Sequence, residues 1–292
     1  MKASELVLAN DGSLYHIRLT GSTLADKVVL VGDPGRVEMF KGIFESVEYE
    51  SVNREMHALT GRYHGTRLTA LSTGMGCDNI DIVMTELDAA LRVENGEWMT
   101  GGEGRRLQVV RMGTSGSLQA DIDCGSAVAS RYAIGLDGLM NYYREWDSPL
   151  GAMEGALERH MGLDGRLARP YCVEGSATLL WGIGYDMHEG ITATAPGFYG
   201  PQGRTIRLHP ATEDLNGRLA TFSWEGVRVT NLEMETSAIY GFSHLLGHEA
   251  LTVCLIIANR ATGRFLNDYH VQMRELAGRV VERLISIPGG TL

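Results

Sequence analysis

The sequence predicts an α/β fold, with one domain over residues 1–292 built as a three-layer α/β/α sandwich around a mixed central sheet. Three observations predict it. Short runs rich in valine and isoleucine end on glycine or a small polar residue, as buried strands do. Segments with apolar residues at helical spacing lie between them. No Pro/Ser-rich linker, internal repeat or low-complexity tract divides the chain.

In chain order, KVVLVGD (27–33) reads as a buried strand, and the GDPG turn after it starts a helix at about Arg36. RYHGTRLTALSTG (62–74) reads as two strand-like runs around a His-Gly turn, and DIVMTELDAALRV (81–93) as a helix. NGEWMTGGEGRR (95–106) is polar and glycine-rich, which predicts a surface loop, and RLQVVRMG (106–113) is a strand ending in glycine. GITATA (190–195), VRVTNLEM (227–234) and LTVCLIIAN (251–259) are further strands. TSAIYGFSHLLG (236–247) is a helix with a glycine stop, and an amphipathic helix covers about 268–286.

Composition narrows the function classes. With 44% hydrophobic and 21% charged residues the chain reads as an ordinary globular protein. No run of 18 apolar residues predicts a membrane span, and MKASELVLANDGS lacks the apolar core of a secretory signal. Cys77, Cys124, Cys172 and Cys254 lie far apart with no CxxC pair, so free thiols and a cytoplasmic location are expected rather than disulfides or zinc. A net charge of −10 argues against a nucleic-acid partner. It leaves room for a small anion, because a few arginines in one cleft make a locally positive site.

Polar motifs stand at the ends of the strands, where open α/β sheets bind ligands. Gly32-Asp33-Pro34-Gly35-Arg36 offers close backbone approach and a guanidinium at a helix start, an oxyanion cradle; alone it equally fits a plain turn. Its spacing is not that of a P-loop. Arg111-Met112-Gly113-Thr114-Ser115-Gly116 ends an apolar strand with an arginine that is expensive to bury unless it meets an anion. Ser72-Thr73-Gly74-Met75-Gly76 is a weaker place for backbone approach. Phe198-Tyr199-Gly200-Pro201-Gln202-Gly203-Arg204 combines rings that can stack on a heterocycle with a donor–acceptor glutamine and a donor arginine. That set complements uracil. Asn231-Leu232-Glu233-Met234-Glu235 places two carboxylates about a methionine, suited to a ribose diol over an apolar floor. Asn259-Arg260 follows the last apolar strand, as a ligand-facing strand end or a salt-bridged arginine.

Taken together and in this order, the GDPGR turn, the R-M-G-T-S-G segment, the F-Y-x-x-Q-x-R loop and the E-M-E segment resemble the nucleoside phosphorylase family, in its uridine-cleaving branch. The resemblance runs from about Tyr15 to about Ile285 and is weakest between 135 and 185. It implies reversible phosphorolysis of uridine to uracil and ribose 1-phosphate, with no cofactor and inorganic phosphate as co-substrate. Gly32, Arg36, Arg111 and Thr114 are implied as phosphate ligands, with Arg54 supplied by a neighbouring subunit. Met234 and Glu235 are implied for ribose, with His16 reaching the 5′-hydroxyl from the neighbour. Phe198, Gln202 and Arg204 are implied for the base, with Arg260 on a base-side loop. Shared sites imply a homo-oligomer, a dimer or a hexamer of dimers. A structural monovalent cation such as K+ near Glu55 is the single metal that the resemblance suggests. Purine members of the family carry an acid where this chain has Asn259-Arg260, which favours a pyrimidine. A purine or methylthioadenosine phosphorylase, a water-using nucleosidase of the same fold, and a non-catalytic nucleoside-binding protein are the alternatives.

Overall fold

In the computed structural model, which describes residue 2 and residues 4–94, 97–98, 105–162 and 165–289, the first apolar run forms β1 (Lys27–Val31), buried along its length. Its side chains alternate between faces: Val28 and Leu30 enter one core cluster, Val29 and Val31 the other. After α1 (Pro34–Val37), β2 (Ser46–Asn53), β3 (Met56–Tyr63) and β4 (Thr66–Ser72) form an antiparallel meander. The β3–β4 turn places His64 at φ 46° and Gly65 at φ 75°, the paired positive φ values of a tight hairpin. The chain continues through α2 (Cys77–Arg92), β5 (Val93–Glu94), β6 (Glu97–Trp98), β7 (Gln108–Ser117), β8 (Ala127–Gly135), α3 (Gly151–Met161), β9 (Tyr171–Glu174), α4 (Ala177–Ile183) and β10 (His188–Thr194). It ends with α5 (Leu215–Thr221), β11 (Ser223–Trp224), β12 (Val227–Glu233), α6 (Thr236–Leu246), β13 (Glu249–Asn259), β14 (Arg264–Phe265) and α7 (His270–Ser286).

Twelve strands join one mixed sheet in the order β11-β12-β10-β8-β13-β7-β1-β4-β3-β2, with β9 on β8 and β14 on β13. β13, β7, β1 and β4 run parallel side by side, as do β8, β10 and β12, and the two groups meet at an antiparallel β13–β8 junction. A further antiparallel contact, Asn231 with Ser117 and Leu232 with Gly116, closes β7, β13, β8, β10 and β12 into a ring. That closure carries the end of β12 to the end of β7, and it sets up the site.

The layers follow from the two apolar faces. α2, α6 and the segment from Leu14 to Leu24 cover one face. α4, α7 and the stretch from Val37 to Phe44 cover the other, while α3 and α5 pack over β8, β10 and β12. This is the expected three-layer sandwich. Tyr240 of α6 ties it together: its buried hydroxyl donates to the Ser130 carbonyl (2.6 Å) and accepts from the Thr252 N–H (2.8 Å). Tyr240→Phe strands both backbone groups and is expected to lower stability by roughly 1–3 kcal/mol. Denaturation midpoints compared at one protein concentration check it.

Several boundaries differ from the sequence reading. β7 does not stop at Gly113; it runs to Ser117, because β13 pairs with it from Gln108 to Ser117 and supports a glycine-rich stretch that lacks intrinsic strand preference. Arg111 therefore sits within a strand rather than at its end. The helix at Arg36 is four residues long and tightens into a 3-10 turn over Glu38–Gly42. α2 starts four residues early, at Cys77. Of the expected loop at 95–106, residues 95–96 and 99–104 lie outside the described residues, and 97–98 pair with 93–94. The four cysteines are unpaired, and no helix among the described residues is long and apolar enough to cross a membrane.

Candidate active site

The ends of β1, β4, β7, β12 and β13 surround a cleft of about 650 Å³. It brings together Gly32, Arg36, Arg111 and Thr114, then Met234 and Glu235, then Phe198, Gln202 and Arg204. Motifs more than two hundred residues apart in sequence thus share one wall.

On the first side, Gly32 leaves β1 and Asp33 caps the short helix, its carboxylate accepting the Gly35 N–H at 2.8 Å. That N–H is therefore spoken for, and the cradle expected at a helix start reduces to the Gly32 backbone and the Arg36 guanidinium. Arg36 has no carboxylate partner among the described residues and lies 5.9 Å from the Tyr269 ring centre. Arg111 is buried and does meet anions, but they are the protein's own: Nη1 lies 3.1 Å from Glu233 and Nη2 pairs with Glu235. Burial disfavours its charge, and the two carboxylates more than reverse this, raising its pKa. Gly113 makes the arrangement possible, since a Cβ there would overlap the Arg111 guanidinium. Gly113→Ala is expected to displace Arg111 and raise the phosphate KM about tenfold or more, which initial rates at varied phosphate would measure.

The Met234–Glu235 side depends on two left-handed glycines, Gly74 (φ 70°) and Gly76 (φ 98°), which turn the chain from β4 into α2. The Gly76 N–H then donates to Glu235 Oε1 at 2.7 Å, and the Cys77 thiol donates to the Met234 carbonyl at 3.2 Å. Glu235 is buried; its carboxyl pKa is raised by that burial and by Glu233, against Arg111 and the Gly76 N–H, which lower it. Glu233 was noted in sequence only as one of two carboxylates. It proves to cap α6, accepting from the N–H groups of Glu235 (2.9 Å) and Thr236 (3.0 Å) and from the Thr194 hydroxyl (2.7 Å). The paired glutamates of the motif were the signal for it.

In the 198–204 loop Phe198 is half exposed and the Arg204 guanidinium carbon lies 3.9 Å from its ring centre. Arg204 Nη1 donates to the Phe198 carbonyl (2.5 Å) and to Gln202 Oε1 (2.7 Å). Burial and the neighbouring charge of Arg260 push Arg204 down to about 10. Neither arginine has a carboxylate partner among the described residues, so this end of the cleft carries uncompensated positive charge. Arg260 does not line the cleft; it stands behind, donating from Nη2 to the Gln202 carbonyl at 3.2 Å. Asn259 is not ligand-facing: its Nδ2 donates to the Gln119 and Ile122 carbonyls (both 2.9 Å), and its Oδ1 accepts from Ala261 and Thr262.

His16 and Arg54 also lie off this cleft. They are neighbours, however: Asn53 donates to the Tyr15 (3.0 Å) and His16 (2.9 Å) carbonyls, and Arg54 is exposed at φ 55° beside it. Residues missed in sequence include Asn79, Ile257 and Phe265, which line the cleft without any motif to mark them. Ile257 is the residue skipped by the β13–β7 register shift. A larger, more apolar cleft of about 870 Å³ adjoins across Tyr199 and Arg204. It lacks a carboxylate, so the smaller cleft is the better chemical site. Glu38, Glu50 and His57 converge elsewhere, but Lys41 already pairs with both carboxylates.

Known proteins resemble the chain over most of its length. The chain is 29% identical over 269 residues to a uridine phosphorylase of Thermococcus kodakarensis, covering 90% of this chain and 83% of that one. It is 24% identical over 273 residues to a guanosine phosphorylase of Halorubrum lacusprofundi, covering 93% and 95%. Among solved structures, a Trypanosoma brucei nucleoside phosphorylase described as showing uridine phosphorylase activity superposes with a TM-score of 0.83 at 30% identity, covering 96% of this chain and 98% of that one. The sequence profile of the phosphorylase superfamily matches residues 26–286, and the chain belongs to that superfamily.

Proposed function

We propose that the protein is a uridine phosphorylase, a pentosyltransferase of pyrimidine nucleoside salvage. The observation that carries this reading is the cleft itself. Guanidinium and hydroxyl groups, a buried carboxylate next to a methionine in sequence, and a glutamine–arginine pair beside an aromatic ring line it together, a set that suits phosphate, ribose and base. In this reading phosphate is held by Gly32, Arg36, Arg111 and Thr114, with a phosphate oxygen directed at C1′. Glu235 accepts the ribose hydroxyls above Met234. A C1′–O bond forms as the C1′–N1 bond breaks, and the base leaves with the electron pair. Arg204, with Arg260 behind it, stabilises that charge before solvent supplies a proton.

Exposed Arg54 and half-buried His16, tied together by Asn53, suit delivery into the site of a second copy, which makes a homo-oligomer part of the proposal. Glu55 lines the cleft and has no ion pair among the described residues, so it suits a structural monovalent cation; no reaction step is assigned to it.

One observation favours a second reading. The similarity extends to a guanosine phosphorylase, so a purine is the competitor. Against it, Asn259 and Arg260 stand at the end of β13 in place of a carboxylate, and Asn259 is consumed by its own turn. The test is turnover of uridine, inosine and guanosine in phosphate buffer. Uridine is expected to dominate kcat/KM; preference for either purine would overturn the base assignment.

A further inference from the structure

We infer that Glu86 is a positioning residue that sets His16 for the sugar 5′-hydroxyl in a neighbouring subunit's site; this rests on the reading of His16 just given. Glu86 lies on α2, whose buried residues are apolar apart from Glu86 itself and Asp88, the latter paired with Arg92. Its side chain is 10% exposed and meets no lysine or arginine among the described residues. A carboxylate so placed is costly unless donors converge on it. All three of its donors come from one dipeptide. The His16 N–H (3.0 Å) and the Ile17 N–H (2.9 Å) bond Oε2, and His16 Nδ1 lies 2.5 Å from Oε1.

An apolar residue on α2 would anchor the segment by packing alone. A carboxylate does something packing cannot do. Because it can only accept, it places the imidazole proton on Nδ1 and fixes the plane of the ring. Nε2 is then the nitrogen presented outward, and it has no partner among the described residues, while the side chain is 29% exposed. From the other side of the same dipeptide, Asn53 fixes the His16 carbonyl at 2.9 Å, next to Arg54. Glu86 and Asn53 therefore clamp His16 between them, so that ring and guanidinium project from one pre-organised unit. An aimed nitrogen suits a hydroxyl, which both donates and accepts.

The experiment measures kcat/KM for uridine and for 5′-deoxyuridine in the intact oligomer, for wild type, His16→Ala, Glu86→Gln and their double variant. The amide of Glu86→Gln offers one acceptor oxygen to three donors. The preference for uridine over the 5′-deoxy substrate is expected to fall roughly fivefold in Glu86→Gln, with 5′-deoxyuridine turnover within about twofold of wild type. His16→Ala is expected to abolish the preference, and the double variant to add nothing further. Glu86→Asp, which keeps the charge but retracts it by one methylene, is expected to move the ratio in the same direction and serves if the glutamine variant does not fold. A ratio unchanged in Glu86→Gln or Glu86→Asp, or equal losses on both substrates, would overturn the inference while leaving His16 in place. A ratio unchanged in His16→Ala would overturn the reading of His16 and this inference with it.

Discussion

Glu235→Ala is expected to lower kcat/KM for uridine on the order of 10³-fold, the largest loss of any single change in the cleft. The side chain is buried at the junction of two functions. In the proposed reading it faces the ribose diol, and it supplies one of the two carboxylates that hold Arg111. Removing it deletes two charge-assisted hydrogen bonds to the sugar and strands the Gly76 N–H. Glu233 still pairs with Arg111 at 3.1 Å and still caps α6, so the fold is expected to survive. 2′-Deoxyuridine separates the effects: a sugar contact predicts a smaller penalty on the deoxy substrate than on uridine. The raised carboxyl pKa of Glu235 gives a second signature. Burial and Glu233 favour the protonated form, which accepts one hydroxyl fewer, so the acid limb of kcat/KM is expected above the ordinary glutamate value of about 4.3.

The second large effect is at the other end of the cleft. Arg204→Ala is expected to reduce kcat by roughly 10²–10³-fold with a much smaller change in KM. The charge that Arg204 answers exists only as the glycosidic bond breaks, so its loss is felt in the transition state more than in binding. Arg204 has no carboxylate partner among the described residues, and Arg260 adds a like charge nearby. The test is leaving-group dependence. A uridine with fluorine at C5 expels a more stable anion and is expected to suffer less from the substitution. An equal penalty on both substrates would mean that Arg204 serves to orient Phe198, over whose ring it lies, rather than to receive charge.

How much of this was legible in sequence depended on whether chemistry or topology placed the residue. Gly32, Arg36, Thr114, Gln202 and Glu235 sit in motifs whose residue types state their chemistry, and the cleft gathers them. The central strands were legible because LTVCLIIAN and KVVLVGD have no polar face. The stretch from 127 to 183, with β8, α3, β9 and α4, was not read, because its short elements carry no long periodic signal. The reach of β7 past Gly113 was illegible because it depends on pairing with β13, a partner more than a hundred residues away. The ring closure at Asn231–Ser117 is likewise a property of the assembled sheet, and it alone explains why Arg111 meets Glu233 and Glu235. The cost of burying an arginine pointed to an anion there, phosphate or a salt-bridge partner; sequence could not say that the protein provides two carboxylates of its own.

In the proposed reaction phosphate and uridine occupy this cleft side by side and exchange the ribosyl group. The most direct measurement is the product balance of uridine turnover as phosphate is titrated from zero, with uracil and ribose 1-phosphate quantified together. No turnover is expected without phosphate, and one ribose 1-phosphate is expected for every uracil at all concentrations. Uracil accompanied by free ribose, at a rate indifferent to phosphate, would contradict it.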